Sequence, residues 1–322
     1  MTIETFSTEL VALGAKENFQ DFYLLPRQDH YEYFFRRGTR LFYHACLKKA
    51  TALQLISRFK YIGQMDVSEK RKAQLGAVSY DLPCGVQRLR LSTVGDYKQN
   101  ESLVIRFIHP LEQAMIHYFL PEQFIFLTQR TRQKGLYLFC GAVGSGKTTL
   151  MYRLAKQVEG QVITIEDPVE VEESQFLQLQ VNPKIQQTYD ELIKLSLRHH
   201  PDVLIIGEIR DEQTAKGAIR AALTGHCVYA TLHAASLESA VTRLVELGGE
   251  KSLLTDCLRG VVYQELFADV SGRQGVLVAY TFGKEKVSWS ESLTLLGARD
   301  EDEKNYDQAK DSIDPTAGRF VD

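Results

Sequence analysis

Short, aromatic-rich runs open the chain. Residues 21–27 (DFYLLPR), 31–36 (YEYFFR) and 39–43 (TRLFY) are separated by turn-forming residues, the pattern of a small antiparallel meander. Residues 45–62 read as a helix, with Leu47, Leu55, Ile56 and Phe59 supplying much of an apolar stripe. Two further strand-like runs follow at 88–93 and 102–108. Together they predict a small α+β domain over residues 1–110, closing near His109-Pro110 because a proline disfavours helix in the residue before it.

Beyond this point the pattern changes. Uniformly apolar runs at 136–140, 162–165, 203–206 and 228–232 alternate with helical periodicity at 148–158, 189–199 and 213–223. Strands without in–out alternation are strands buried on both faces, so residues 111–322 are expected to form an α/β domain with a largely parallel sheet covered by helices. Residues 236–247 and 252–267 read as a helical C-terminal section, and from about Gly297 the chain becomes acidic and polar, a composition for which mobility is expected.

Composition narrows the picture. The chain has 322 residues, 44% hydrophobic, enough to bury two cores. Its net charge of −3 hides an asymmetry, mildly basic at the front and acidic behind, which argues against a nucleic-acid-binding surface spread over the whole protein. Cys46, Cys84, Cys140, Cys227 and Cys257 form no CxxC pair and are expected to be buried small apolar residues of a reducing compartment. No run approaches the length of a membrane span and the first residues lack a signal-peptide pattern, so a cytoplasmic location is expected.

The chemistry begins at residues 141–149 (GAVGSGKTT), where Gly141, Gly146, Lys147 and Thr148 satisfy GxxxxGK[ST] between a strand-like and a helix-like segment. Gly144, Ser145 and Thr149 complete the loop. Glycine lets successive backbone N–H groups turn inward around phosphate oxygens, and the following helix directs its partly positive end at the same place. Lys147 would neutralise β- and γ-phosphate charge of ATP, and the Thr148 hydroxyl would ligate Mg²⁺. A P-loop also needs a carboxylate near the metal and a group that orients the attacking water. Glu208, ending the run IIGE, is the expected metal-side acid, acting on Mg²⁺ directly or through a water. Glu166, Asp167 and Glu170 (IEDPVE) end another strand, and His233 (TLH) falls at the end of a third, placed to sense the γ-phosphate or its water.

These segments, in this order, resemble the type II/type IV secretion ATPase superfamily over residues 21–267. IEDPVE resembles its aspartate box, LRHHPDVLIIGEIRD its Walker B segment and TGHCVYATLHAAS its histidine box. Residues 65–76 (MDVSEKRKAQLG) and 90–108 (RLSTVGDYKQNESLVIRFI) are similar to its N-terminal-domain motifs. His199-His200, Asn100 and Ala235 depart from the usual residues, but none is a phosphate or metal ligand, and the tetracysteine zinc module of many members has no counterpart. The resemblance implies a RecA-like P-loop ATPase domain behind a PAS-like N-terminal domain. It also implies that Arg90 and Arg106 reach the ATP phosphates and that Glu166 polarises the attacking water. The implied assembly is a cytoplasmic homohexamer at the inner face of the membrane, pushing on an inner-membrane platform protein and touching the membrane through that partner, with no direct nucleic-acid contact. The short, zinc-free form is most similar to competence-pilus assembly ATPases of Gram-positive bacteria. Retraction ATPases of similar length, and a nucleic-acid-translocating ring with the same P-loop, are the alternatives.

Overall fold

The computed structural model describes residues 2–38, 40–83, 85–111, 117–142, 144–182, 185–268 and 274–297. Cys84 and the acidic tail lie outside them. The described residues divide into two compact units, one formed by those up to 113 with Glu170–Glu172, the other by the remainder.

The first unit is a six-stranded antiparallel sheet with two helices. Its strands are β1 (Asp21–Pro26), β2 (His30–Arg37), β3 (Arg40–Lys48), β4 (Gln74–Leu82), β5 (Gly85–Gly95) and β6 (Glu101–Ile108), in the order β3-β2-β1-β6-β5-β4. Alternate residues enter one core: Phe22 and Leu24, then Tyr31, Tyr33 and Phe35, Leu89 and Leu91, and Leu103, Ile105 and Phe107. Helices α1 (Ile3–Lys16) and α2 (Lys49–Ile62) cover that face through Leu10, Val11, Leu55, Ile56 and Phe59. The stripe expected over 45–62 is therefore real, but its first residues belong to β3, which pairs with β2 up to Lys48. One charged pair lies inside this unit: Lys60, fully buried, donates to Glu101 Oε1 at 2.6 Å and to the Glu69 carbonyl at 2.6 Å. Both atoms of the pair leave water, and the second hydrogen bond helps offset that desolvation.

The second unit holds an eight-stranded sheet, built from β7 (Gly135–Cys140), β8 (Val162–Glu166), β9 (Leu177–Gln180), β10 (Val203–Ile206), β11 (Cys227–Leu232), β12 (Leu258–Ala268), β13 (Gln274–Phe282) and β14 (Glu285–Val287). The order is β14-β13-β12-β7-β11-β10-β8-β9. Pairing is parallel from β12 through β9, whereas β13 and β14 add an antiparallel edge. Helices are α3 (Pro121–Arg130), α4 (Lys147–Ala155), α5 (Tyr189–Leu197), α6 (Glu212–Leu223), α7 (Leu237–Glu246), α8 (Lys251–Cys257) and α9 (Trp289–Gly297). Leu136, Leu138 and Cys140 of β7 join a cluster with residues of α5, α6, α7 and α8. Tyr137 and Phe139, between them, face the other way and meet the ring of Tyr229.

Two expectations are corrected here. Residues 252–267 are helical only in α8; from Leu258 they form β12, which pairs with the central strand β7. Val261, Val262, Tyr263 and Gln264 are buried in succession, and burial on both faces leaves no periodicity that separates helix from strand, so the partner strand decides it. Among the cysteines, Cys140, Cys227 and Cys257 are buried as expected, but Cys46 is exposed on the edge strand β3. Burial pushes the Cys140 and Cys227 thiols up to about 12, so both stay protonated and inert. No helix among the described residues is long and apolar enough to cross a membrane.

Candidate nucleotide site

Register places the functional groups before any side chain is considered. Cys140 of β7 pairs with Leu232 of β11, Ala230 with Ile206 of β10, and Ile206 with Ile165 of β8. The carboxyl ends of four neighbouring parallel strands thus finish together, followed by the phosphate loop, His233, Glu208 and Glu166. Open α/β sheets take ligands at this edge. Three inter-strand spacings, about 14 Å, separate β7 from β8, so side chains from both sides must reach inward to meet on one ligand.

The loop after β7 has the backbone that the motif requires. Gly141, Gly144 and Gly146 have φ of 141°, 78° and 86°, and Gly146 caps α4 in the left-handed conformation with no side-chain hydrogen bond. The first-turn N–H groups of α4 therefore have no capping side chain, unlike those of α5, α6 and α7, which Thr188, Asp211 and Ser236 cap. Lys147 is buried, and its Nζ donates to the carbonyls of Gly141 at 2.9 Å and Ala142 at 2.7 Å. The ammonium is folded over the loop, where phosphate oxygens would compete for it. Thr148 and Thr149 follow, both partly buried.

Glu166 ends β8 and is 3% exposed. Its Oε1 accepts from the hydroxyl of Tyr152 on α4 and from Thr164 Oγ1 at 2.7 Å. Gln178 of β9 donates to the Tyr152 oxygen at 2.8 Å. Burial first, and then the neighbouring Glu166 charge, push the Tyr152 phenol well above its ordinary range, so it remains a donor at any physiological pH. Two hydroxyls thus fix the orientation of Glu166. Gly207, following β10, leaves room beside it, since a Cβ there would lie 3.2 Å from Glu166 Cγ.

Glu208 is largely buried and held on both oxygens. His233 Nε2 lies 3.1 Å from Oε1, and Arg210 Nε donates to Oε2 at 2.6 Å. His233 is thus joined to Glu208, a contact that the sequence pattern left open. The Thr148 hydroxyl and the Glu208 carboxylate are hard oxygens, the chemical type of which Mg²⁺ takes one or two from a protein together with phosphate and water. When bound, Mg²⁺ would supply charge neutralisation on the phosphates.

Arg90 and Arg106 lie directly opposite each other on β5 and β6 of the first unit, and Arg106 is paired in register with Asp21 of β1. Asp21 is buried, accepting from Arg106 Nε at 2.8 Å and from the Tyr23 hydroxyl at 3.2 Å. Glu170, one of the acids of IEDPVE, is grouped with this unit, where it accepts from Arg106 Nη1 at 3.2 Å. Asp21, Tyr152, Thr164 and Gln178 were not singled out in the sequence. Only Thr164 left a signal, two residues before Glu166 and so on the same side of the strand.

A largely parallel sheet, a glycine loop opening onto a helix, and one buried and one partly buried carboxylate at neighbouring strand ends define a P-loop nucleoside-triphosphate-binding domain. The family profile described as type II/IV secretion system protein matches residues 2–297, and the chain belongs to that family. It is 46% identical over 266 residues to competence protein ComGA of Streptococcus pneumoniae, covering 82% of this chain and 84% of that one. It is 38% identical to the type IV pilus assembly ATPase TfpB of Acinetobacter baylyi, over 80% of this chain and 45% of the relative. The fold is shared with the Legionella pneumophila ATPase DotB, at a TM-score of 0.69 and 21% identity over 98% of this chain and 89% of that structure.

Proposed function

We propose that this chain powers the assembly of a competence type IV pilus or pseudopilus by hydrolysing ATP. The protein is an ATP hydrolase of the pilus-motor class, and the observation that carries the reading is an intact strand, P-loop and helix in a chain 46% identical to a competence protein over 82% of its length. Residues 111–322 serve as a RecA-like motor domain and residues 1–110 as a PAS-like domain in front of it. The protein works as a cytoplasmic homohexamer at the inner face of the cell membrane and acts on an inner-membrane platform protein.

In this reading the loop N–H groups and Lys147 hold the triphosphate. Glu166, fixed by Tyr152 and Thr164, takes a proton from the attacking water. Glu208 and Thr148 hold Mg²⁺, and His233 orients Glu208 or responds to the γ-phosphate. Arg90 and Arg106 reach the phosphates when the first domain closes on the second, and hydrolysis releases them. The pairing of Arg90 with Arg106 across β5 and β6 puts the two guanidinium-bearing residues at adjacent positions of one sheet, which suits a joint role.

Purified protein tests the reading directly: ATP turnover and a six-chain species in native mass measurement are expected, and a monomer without turnover would overturn it. Arg106→Ala tests the clamp. It should retain ATP binding and lose about 10- to 100-fold in turnover, the worth of one charge-assisted hydrogen bond. A melting curve on the same sample separates this from the cost of leaving Asp21 without its guanidinium, and unchanged turnover would remove Arg106 from the mechanism.

A further inference from the structure

β12 runs beside β7, and Tyr263 pairs with Cys140, so Gln264 comes level with Gly141, the first residue of the phosphate loop. Val261 and Tyr263 enter the core cluster, which turns Gln264 to the opposite face of the strand. There its polar side chain is 1% exposed. A buried amide is held by what it bonds, and Gln264 Nε2 donates to the backbone carbonyl of Ser145. A carbonyl only accepts, so the amide nitrogen must face it.

The Ser145 carbonyl lies one residue outside the helical ladder, which starts with Leu150 N–H to the Gly146 carbonyl at 2.9 Å. It is the last loop carbonyl before the capping glycine and Lys147. The main chain of Gln264 meets the other end of the loop, where a Cβ on Gly141 would overlap the Gln264 carbonyl. One residue therefore braces both ends of the loop, by close backbone packing at Gly141 and by a side-chain hydrogen bond at Ser145. Two buried polar atoms of this brace, Gln264 Oε1 and Ser145 Oγ, have no hydrogen-bond partner among the described residues. One is an acceptor and the other a rotatable donor, so the brace has pairing capacity in reserve when the loop adjusts around phosphate.

We propose that Gln264 is a positioning residue of the ATP site, its amide N–H holding the phosphate loop in the shape that receives the triphosphate. The inference rests on the reading of this loop as the ATP site. It is independent of the arginine clamp and of the pilus assignment. Since the loop grips ATP before and during hydrolysis alike, loss of the brace raises KM and leaves kcat within about twofold.

The experiment uses the full chain with ATP and Mg²⁺, measuring affinity, KM and kcat, and melting without nucleotide, for wild type, Gln264→Leu and Gln264→Glu. Leucine has no donor, and affinity should fall about fivefold to tenfold, the worth of one hydrogen bond. Glutamate is diagnostic, because only its protonated form can donate to the Ser145 carbonyl. Its affinity relative to wild type should be near one at about pH 6 and fall by about pH 8, as a buried carboxyl with a raised pKa ionises. A ratio flat with pH, or leucine binding ATP as wild type does, would overturn the proposal. So would two variants that fail to fold, which would assign Gln264 to the core. Wild type that does not bind ATP would instead overturn the nucleotide-site reading itself.

Discussion

Glu166→Gln should bind ATP almost as wild type does and lose about 100-fold or more in hydrolysis, the range measured when a positioned general base is removed. The substitution suits this site because glutamine keeps the shape of glutamate and an oxygen that can still accept from Tyr152 and Thr164. What disappears is the ability to take a proton from water. Single-turnover hydrolysis with enzyme in excess isolates that step, and a nucleotide titration on the same sample shows that binding survives. Turnover at the wild-type rate would remove Glu166 from the chemistry. Loss of binding would make it a structural anchor of α4 and β8, since Tyr152 ties the two together.

Lys147→Ala should fail one step earlier. The ammonium now rests on the carbonyls of Gly141 and Ala142, and ATP replaces those neutral acceptors with charged phosphate oxygens. Removing a charged hydrogen-bond partner costs about 2–3 kcal/mol, so affinity should fall about 30- to 150-fold. The clearest readout is thermal: ATP at 100 times the wild-type Kd stabilises the folded chain by about 2.7 kcal/mol, and in the variant the same ATP should give about a third of that or less, with the rise in melting temperature reduced in proportion. Melting without ATP controls for the two freed carbonyls. A full ATP-induced shift in Lys147→Ala would contradict the phosphate-site assignment.

The two variants also separate two kinds of information in the chain. The loop at 141–149 was legible because its chemistry is contiguous: glycines at positive φ, a buried strand before and a helix after lie within a few residues of one another. The runs that became β7, β8, β10 and β11 were legible because strands buried on both faces must be apolar throughout. Their carboxyl ends carried Glu166, Glu208 and His233, and parallel pairing in register brought these to one edge. Elsewhere local pattern was insufficient. Helix α1 and strand β4 went unread, and β4, at a sheet edge, leaves Leu75 and Ala77 exposed and buries only Tyr80 and Leu82, so its apolar residues do not mark one face. β12 was read as helix because its apolar run carries no period, and only the pairing with β7 makes it a strand.

What the sequence determined by itself is therefore the phosphate loop and the carboxylates that end the parallel strands, since short-range sterics and burial dictate both. Tertiary structure alone decided what supports them. Tyr152 holds Glu166 and is itself held by Gln178, Asp21 holds Arg106 from 85 residues away, and Gln264 holds Ser145 from 119 residues away. A hydrogen bond across such a separation leaves no period or motif in the chain. It exists only because folding removes both groups from water and leaves each the other's partner.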